Sequence, residues 1–113
     1  MKEIKAIVQP FRVSKIVSAL RQLPNLPGIT VSYVQGFGRQ KGANAPDSVW
    51  NGGVLYVKKA KLEIVVPDEL VEEVVRTIQE NAHTGNLGDG KIFVRSLDDA
   101  LRIRTGERGN EAL

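Results

Sequence analysis

The chain has 113 residues, 42% of them hydrophobic, which suits a single domain spanning residues 1–113 with one modest core. The absence of cysteine excludes disulfides, thiolate catalysis and sulfur-ligated metal sites, and the absence of a long apolar run or signal-peptide core favours a cytoplasmic protein. A formal net charge of +3 leaves nucleotides, nucleic acids and acidic protein surfaces open as partners.

The chain begins with a strand followed by a helix. Ile4, Ala6 and Val8 alternate with more polar residues, which is the pattern of a strand with one buried face. Pro10 ends this strand. Apolar residues then recur at helical spacing across 13–23, and the following prolines and glycine turn the chain.

A second strand leads into a long segment without periodicity. Ile29, Val31 and Tyr33 show strand alternation, and the next clear strand covers 61–66. The intervening segment 37–57, rich in glycine, exceeds the roughly 12 to 15 residues beyond which structureless loops are uncommon in compact domains. We therefore predict a functional or disordered loop there.

The second half repeats the helix and strand pattern. Asp68 stands where it can cap a helix whose apolar stripe lies within 71–78. After a glycine-rich turn, an apolar strand covers 92–94 and a short last strand covers 101–104. The order of the predicted strands and helices is that of an α+β domain.

The predicted fold is ferredoxin-like, βαββαβ, with a short extra C-terminal strand and a long loop between strands 2 and 3. Both helices would lie on one face of an antiparallel sheet. The opposite face then needs cover, and self-association is the simplest source of it.

The segment 84–91 offers the backbone for a phosphate site. Its glycines let amide groups approach a ligand closely, and Lys91 adds a positive charge at the start of a strand. An ordinary glycine-rich turn between helix and strand explains the same residues equally well, because the spacing is not that of a Walker motif.

Two arginines near the C-terminus form a second candidate site. Arg102 and Arg104 are two residues apart in the predicted last strand, so both side chains would leave the same face and bind one anionic group, with Leu101 and Ile103 facing inward. A charged, solvated edge strand is the alternative.

The long loop carries its own candidates. It begins with flexible glycines, two cations and Gln40, whose amide can bind a metal-held or carboxylate oxygen, although a disordered or nucleic-acid-contacting loop has a similar composition. Trp50 is either an exposed anchor for a partner or a side chain packed on its own domain. His83, the only histidine, has no second ligand nearby in sequence and is expected at the surface.

Taken together, these segments resemble the PII nitrogen-regulatory family of signalling proteins. The resemblance runs almost end to end, and three blocks are the most specific: 36–42 (GFGRQKG), 61–68 (KLEIVVPD) and 84–94 (TGNLGDGKIFV). It implies a homotrimer of ferredoxin-like subunits with ATP or ADP bound in each cleft between neighbours, acting as a regulator and not as an enzyme.

The resemblance also assigns residues. The implied nucleotide-binding residues are Ile7, Thr30, Gly36, Phe37, Gly38, Arg39, Glu63, Val65, Gly88, Asp89, Gly90, Lys91, Phe93, Arg102 and Arg104. A 2-oxoglutarate site would use Gln40, Lys41 and Lys59, with Gln40 also holding the Mg²⁺ that accompanies ATP. The loop 37–57 would correspond to the T-loop, the segment through which the family controls its targets.

The tip of this loop departs from the family pattern. The usual tip carries a modifiable tyrosine, whereas this chain has Asp47, Ser48, Val49, Trp50 and Asn51 as candidate partner-binding residues. Ungapped counting places Gly52 at the tyrosine position and Ser48 where an arginine blocks the ammonium transporter. We therefore expect no uridylylation, and the target is either in nitrogen metabolism or in another membrane system such as bicarbonate uptake or metal efflux.

Two other protein classes fit parts of the sequence. An RNA-binding module shares this topology and charge, but it stacks bases on paired aromatic residues of its central strands. Here aromatic residues make up 5% of the chain and Phe93 is the only one in such a position, so we expect no nucleic-acid partner. A small phosphatase or nucleotide hydrolase would need a base or nucleophile, and none is evident.

Overall fold

The computed structural model describes residues 1–37, 48–51 and 54–113. The described residues form five strands and two α-helices. In chain order these are β1 (Lys2–Val8), α1 (Val13–Leu20), β2 (Thr30–Gly36), β3 (Ser48–Asn51), β4 (Val54–Val66), α2 (Val71–Ala82) and β5 (Gly90–Ser96). None of the helices in the described part of the chain is long and apolar enough to span a membrane.

The strands form one antiparallel sheet in the order β2-β4-β1-β5, with β3 paired to the first four residues of β4. The two central strands bury one face completely. Ile4 lies opposite Ile64 and Ala6 opposite Leu62, and none of these four side chains is exposed. The alternation in the sequence therefore marks the core face of the sheet, as predicted.

Both helices pack on this buried face. Ile16 and Leu20 of α1 and Val74 and Ile78 of α2 are fully buried and belong to the same hydrophobic cluster as the core side chains of β1 and β4. Spacings of four residues place each pair on one side of its helix. The α+β ferredoxin-like fold predicted from the sequence is thus confirmed.

The loop prediction was wrong in one respect. Strand β4 begins at Val54, seven residues earlier than expected, and its first part pairs with β3 in the register Ser48 to Val57 and Asn51 to Val54. The sequence did contain a signal for this hairpin, because Gly-Gly at 52–53 is a two-residue turn sequence between β-branched and aromatic residues.

The predicted C-terminal strand at 101–104 is reduced to a single bridge between Leu101 and Arg108. The Gly106 amide donates to the Arg102 carbonyl at 2.7 Å, which closes a turn, and Gly106 supplies the required positive φ of 77°. Ile103 is consequently 95% exposed, so the prediction that Leu101 and Ile103 face inward was wrong.

Asp68 does not cap the second helix. A short 3₁₀ turn, Asp68–Leu70, precedes α2, and no side-chain capping bond forms at its start. The Asp68 carboxylate instead lies 3.0 Å from the amino group of Met1. The hydrogen bond from that amine, together with its charge, lowers the pKa of Asp68.

Candidate functional site

The glycine-rich turn between α2 and β5 is organised around the carboxylate of Asp89. The carboxylate accepts hydrogen bonds from the backbone amides of Thr84 at 2.7 Å and Gly85 at 3.0 Å, and from the Thr84 hydroxyl. Burial alone would raise the pKa of Asp89, but the bonds from Thr84 and Gly85 together outweigh it and lower the pKa. Asp89 therefore holds the turn together from within.

Gly90 stands where the turn passes closest to β1. Its φ is +107°, and a Cβ built there would overlap the Ile7 carbonyl oxygen and lie 2.8 Å from the Ile7 carbonyl carbon. Only glycine combines this backbone conformation with this close approach. Gly90 thereby lets β5 begin alongside the end of β1.

This junction sets the position of Lys91 on the face of the sheet away from the helices. In the strand register, Ile7 of β1 lies between Lys91 of β5 and Lys61 of β4. Phe93 follows two residues after Lys91 on the same face and is 53% exposed. An apolar side chain flanked by two lysines is a surface that can accept a planar anionic ligand.

Lys59 connects β4 to the same turn. Its ammonium group donates a hydrogen bond to the Gly88 carbonyl oxygen. A Cβ built on Gly88 would lie 3.4 Å from both the Lys59 Nζ and the Gln9 Nε2, so the two side chains converge there. Sequence reasoning did not single out Gln9, whose position just after β1 was its only signal.

A second group of predicted residues lies in a cleft of about 440 Å³ formed by the end of β4, the start of β2 and the C-terminus. Thr30 is the cross-strand partner of Glu63, and Val65 follows on the same face of β4. All three line this cleft together with Ala112 and Leu113. We call this the C-terminal cleft.

Arg102 lies beside the C-terminus, with both ends of its guanidinium engaged. Its Nη1 is 2.9 Å from a carboxylate oxygen of Glu107, and its Nη2 donates to the Leu113 carbonyl oxygen at 2.9 Å. The Arg104 side chain is exposed. Because residues 102–105 form a turn and not a strand, the strand geometry that was predicted to align the two arginines does not hold.

The predicted residues thus fall into two groups along the sheet. Lys59 is near the glycine-rich turn, whereas Glu63 is in the C-terminal cleft. Glu63 follows Lys59 by four positions along β4, a distance of about 13 Å. The first group is Ile7, Lys59, Gly88, Asp89, Gly90, Lys91 and Phe93. The second group is Thr30, Glu63, Val65 and, next to Leu113, Arg102.

The start of the long loop is described only in part. Gly36 is the last residue of β2 and pairs with Val57, and the Phe37 ring, 65% exposed, lies 5.8 Å from the Tyr56 ring between centroids. The predicted site residues Gly38, Arg39, Gln40, Lys41 and Asp47 lie outside the described residues. The backbone of Ser48, Val49, Trp50 and Asn51 forms β3.

No metal site is visible in residues 1–37, 48–51 and 54–113: no three acidic or histidine side chains come together there in a way that would hold an ion. His83 follows α2 and is exposed, as expected. The only predicted metal ligand, Gln40, belongs to the part of the chain that is not described.

Comparisons with known proteins identify relatives over almost the whole chain. Residues 1–107 match the family model described as nitrogen regulatory protein P-II. The nitrogen regulatory protein P-II of Rhodospirillum rubrum is 46% identical over 116 aligned residues, covering all of both chains, and that of Azospirillum brasilense is 44% identical with the same coverage.

A solved structure extends the comparison to the fold. The crystal structure of Arabidopsis thaliana PII bound to citrate shares 44% identity, covers 99% of this chain and 91% of its own, and superimposes with a TM-score of 0.79. Full-length matches at this identity establish more than a common fold. This chain belongs to the P-II family of nitrogen regulatory proteins.

Proposed function

We propose that this protein, as one domain spanning residues 1–113, senses adenine nucleotide and reports its state to a target protein through the loop 37–57. ATP or ADP would bind with its phosphates at the glycine-rich turn. The observation that carries the proposal is the junction at Gly90, which holds Lys91 beside the half-buried Ile7. The family membership supports a regulatory role.

The glycine-rich turn suits a phosphate chain. Gly85, Gly88 and Gly90 all have positive φ, and a backbone of this kind can aim several amides at one anion. The Asp89 carboxylate accepts hydrogen bonds from the amides of Thr84 and Gly85 within the turn. Its negative charge is therefore directed at these amides and not at a phosphate. Lys91, which is exposed, adds the positive charge that a polyphosphate needs.

The second group of residues would complete the site from a neighbouring copy. Thr30, Glu63 and Val65 would surround the adenine together with Ile7 of the first group, and Arg102 and Arg104 would bind phosphates. Lys59, at the glycine-rich turn, lies about 13 Å along β4 from Glu63 in the C-terminal cleft, and this spacing within one subunit favours a site shared between copies. The sheet face opposite the helices, with Phe93 53% exposed, supports self-association, and we propose a homotrimer.

A second effector would bind at the base of the loop. Lys59 already reaches the glycine-rich turn through the Gly88 carbonyl, so an ammonium group is present where a carboxylate ligand would adjoin the phosphates. We propose 2-oxoglutarate as this ligand, held by Lys59, Lys41 and Gln40. Mg²⁺ bound with ATP would supply further positive charge there, with Gln40 as its protein ligand.

The output would pass through the loop and its β3 hairpin to a protein partner. Occupancy of the nucleotide site can shift the loop only if ligand contacts differ between its conformations, and residues 36–41 would provide those contacts. Asp47, Ser48, Val49, Trp50 and Asn51 would meet the target. We place the protein in the cytoplasm, with a target in nitrogen metabolism or, as the alternative output, another membrane transport system.

Calorimetry tests the proposal directly. ATP, ADP and AMP are titrated into the protein with Mg²⁺, and 2-oxoglutarate is then titrated into the ATP-bound form. We expect ATP or ADP to bind, and 2-oxoglutarate to bind only once ATP and Mg²⁺ are present. Complete absence of nucleotide binding would refute the central claim.

A matched pair of variants tests the site. Arg104→Ala should weaken ATP binding by about tenfold or more, because a hydrogen-bonded charge pair is lost. Arg76→Ala makes the same change on the exposed surface of α2 and should leave the affinity unchanged. Equal affinities for both variants would contradict the assignment of Arg104.

A further inference from the structure

We infer that the segment 109–113, which we call the tail, competes with nucleotide for the C-terminal cleft, so that a seated tail and a bound nucleotide exclude one another. This inference rests on the proposed function, because the cleft is the place assigned to the adenine. It goes beyond that function because it states that, in the absence of nucleotide, the tail of the subunit occupies the subunit's own C-terminal cleft.

The tail reaches the cleft through a compact turn. Gly109–Ala112 forms a 3₁₀ turn, closed by a hydrogen bond from the Leu113 amide to the Asn110 carbonyl at 3.2 Å. Ala112 and Leu113 are both partly buried and line the same cleft as Thr30 and Glu63. The apolar end of the chain therefore lies against the side chains assigned to the base.

The tail also engages the arginine assigned to the phosphates. The Arg102 Nη2 donates to the Leu113 carbonyl oxygen at 2.9 Å, while Nη1 pairs with Glu107. Guanidinium donors lie in one fixed plane, so a phosphate that took both ends of the fork would have to replace Leu113. The position of Ala112 and Leu113 in the lining of the cleft and the hydrogen bond to Arg102 thus place the tail where nucleotide is proposed to bind.

The start of the tail is anchored independently of the cleft. The Gly109 amide donates to the Ala100 carbonyl at 3.0 Å, and Asp99 is paired with Arg108 at 2.5 Å. The hydrogen bond from Arg108 is the main cause that lowers the pKa of Asp99. Gly109 has a positive φ of 66°, which allows a change of chain direction at this point. Residues 110–113 can therefore leave the cleft while the preceding turn stays in place.

Thiol reactivity follows the tail directly, because the chain contains no cysteine. In the variant Ala112→Cys, the rate of reaction with a soluble disulfide reagent is measured with and without ATP and Mg²⁺. We expect nucleotide to increase the rate at least threefold. The control Asn110→Cys, at an exposed position of the same turn, should react at the same rate in both conditions. An unchanged or lower rate at residue 112 on adding ATP would overturn the inference.

Affinity gives an independent measurement. Leu113→Ser weakens the seating of the tail while leaving Arg102 and the cleft residues Thr30, Glu63 and Val65 unchanged. It should tighten ATP binding by about tenfold, the effect of removing roughly half of a buried leucine contact. Asn110→Ser is the matched control and should bind as the wild type does. Unchanged or weaker binding by Leu113→Ser refutes competition by the tail. If the wild type binds no nucleotide at all, the proposed function itself fails.

Discussion

Replacing Gly90 by alanine tests the junction on which the candidate site depends. The new methyl group would overlap the Ile7 carbonyl oxygen, and the residue would have to keep a φ of +107°. Left-handed backbone costs an L-residue about 1–2 kcal/mol, and a forced steric overlap adds about 1–3 kcal/mol. Reduced entropy of the unfolded chain recovers about 0.4–1 kcal/mol. We expect a net loss of about 3 kcal/mol in the free energy of unfolding.

Thermal unfolding followed by circular dichroism measures this loss. In a domain of about 100 residues it corresponds to a fall of roughly 12–20 °C in Tm. Gly36→Ala is the control: Gly36 also stands at a strand end, but it has no positive φ, and none of the described residues has an atom within 4 Å of its Cβ position. Protein concentration must be equal in all samples, because the proposed trimer would make Tm depend on it. The reasoning is refuted if the two variants melt within about 2 °C of each other.

Two further predictions concern the turn and the core. Because the pKa of Asp89 is lowered in the folded state, its stabilisation is fully present above the ordinary pKa of 3.8 and is lost as the pH falls through the lower folded value. Asp89→Asn should therefore lower the free energy of unfolding by about 1 kcal/mol at pH 7, after allowance for solvent screening, and the difference from wild type should shrink as the pH falls below 3.8; a difference independent of pH would contradict this. Ile78→Ala should lower the free energy of unfolding, measured with denaturant, by about 2–5 kcal/mol, because Ile78 is fully buried. Ile78→Val should lower it by about 0.5–1.5 kcal/mol. Equal losses for the two variants would show that Ile78 is not packed as described.

Local patterns predicted the fold because each central element repeats one simple period. Ile4, Ala6 and Val8 alternate, and their burial in the structure follows that alternation residue by residue. On the edge strand β2 the alternation identifies a strand, but it does not predict which side chains are buried. Tyr33 lies on the core side of the sheet, opposite Ala60, yet it is 69% exposed, because β2 is the last strand in the order β2-β4-β1-β5 of the described residues.

The errors occurred where a contact between distant residues replaced a local preference. Asp68 has the chemistry of a helix cap, but the amino group of Met1, 67 positions away in sequence, lies 3.0 Å from it. The segment 101–104 has strand composition, but Gly106 and Glu107 fold it into a turn. The local sequence around Asp68 does not indicate the contact with Met1, and the composition of 101–104 does not indicate the hydrogen bonds with Gly106 and Glu107.

For the candidate site, the sequence by itself determined which side chains are present and that glycine is needed near residue 90. It also determined the alternation that sorts β1 and β4 into a core face and an open face. The tertiary structure alone decided that Lys59 and Gln9 converge on Gly88, and that Leu113 lies in the cleft beside Arg102. The physical reason is that periodicity and turn preference act over a few residues. The meeting of two chain segments depends on strand register and on the close passage of backbones, which are fixed only when the whole sheet is assembled.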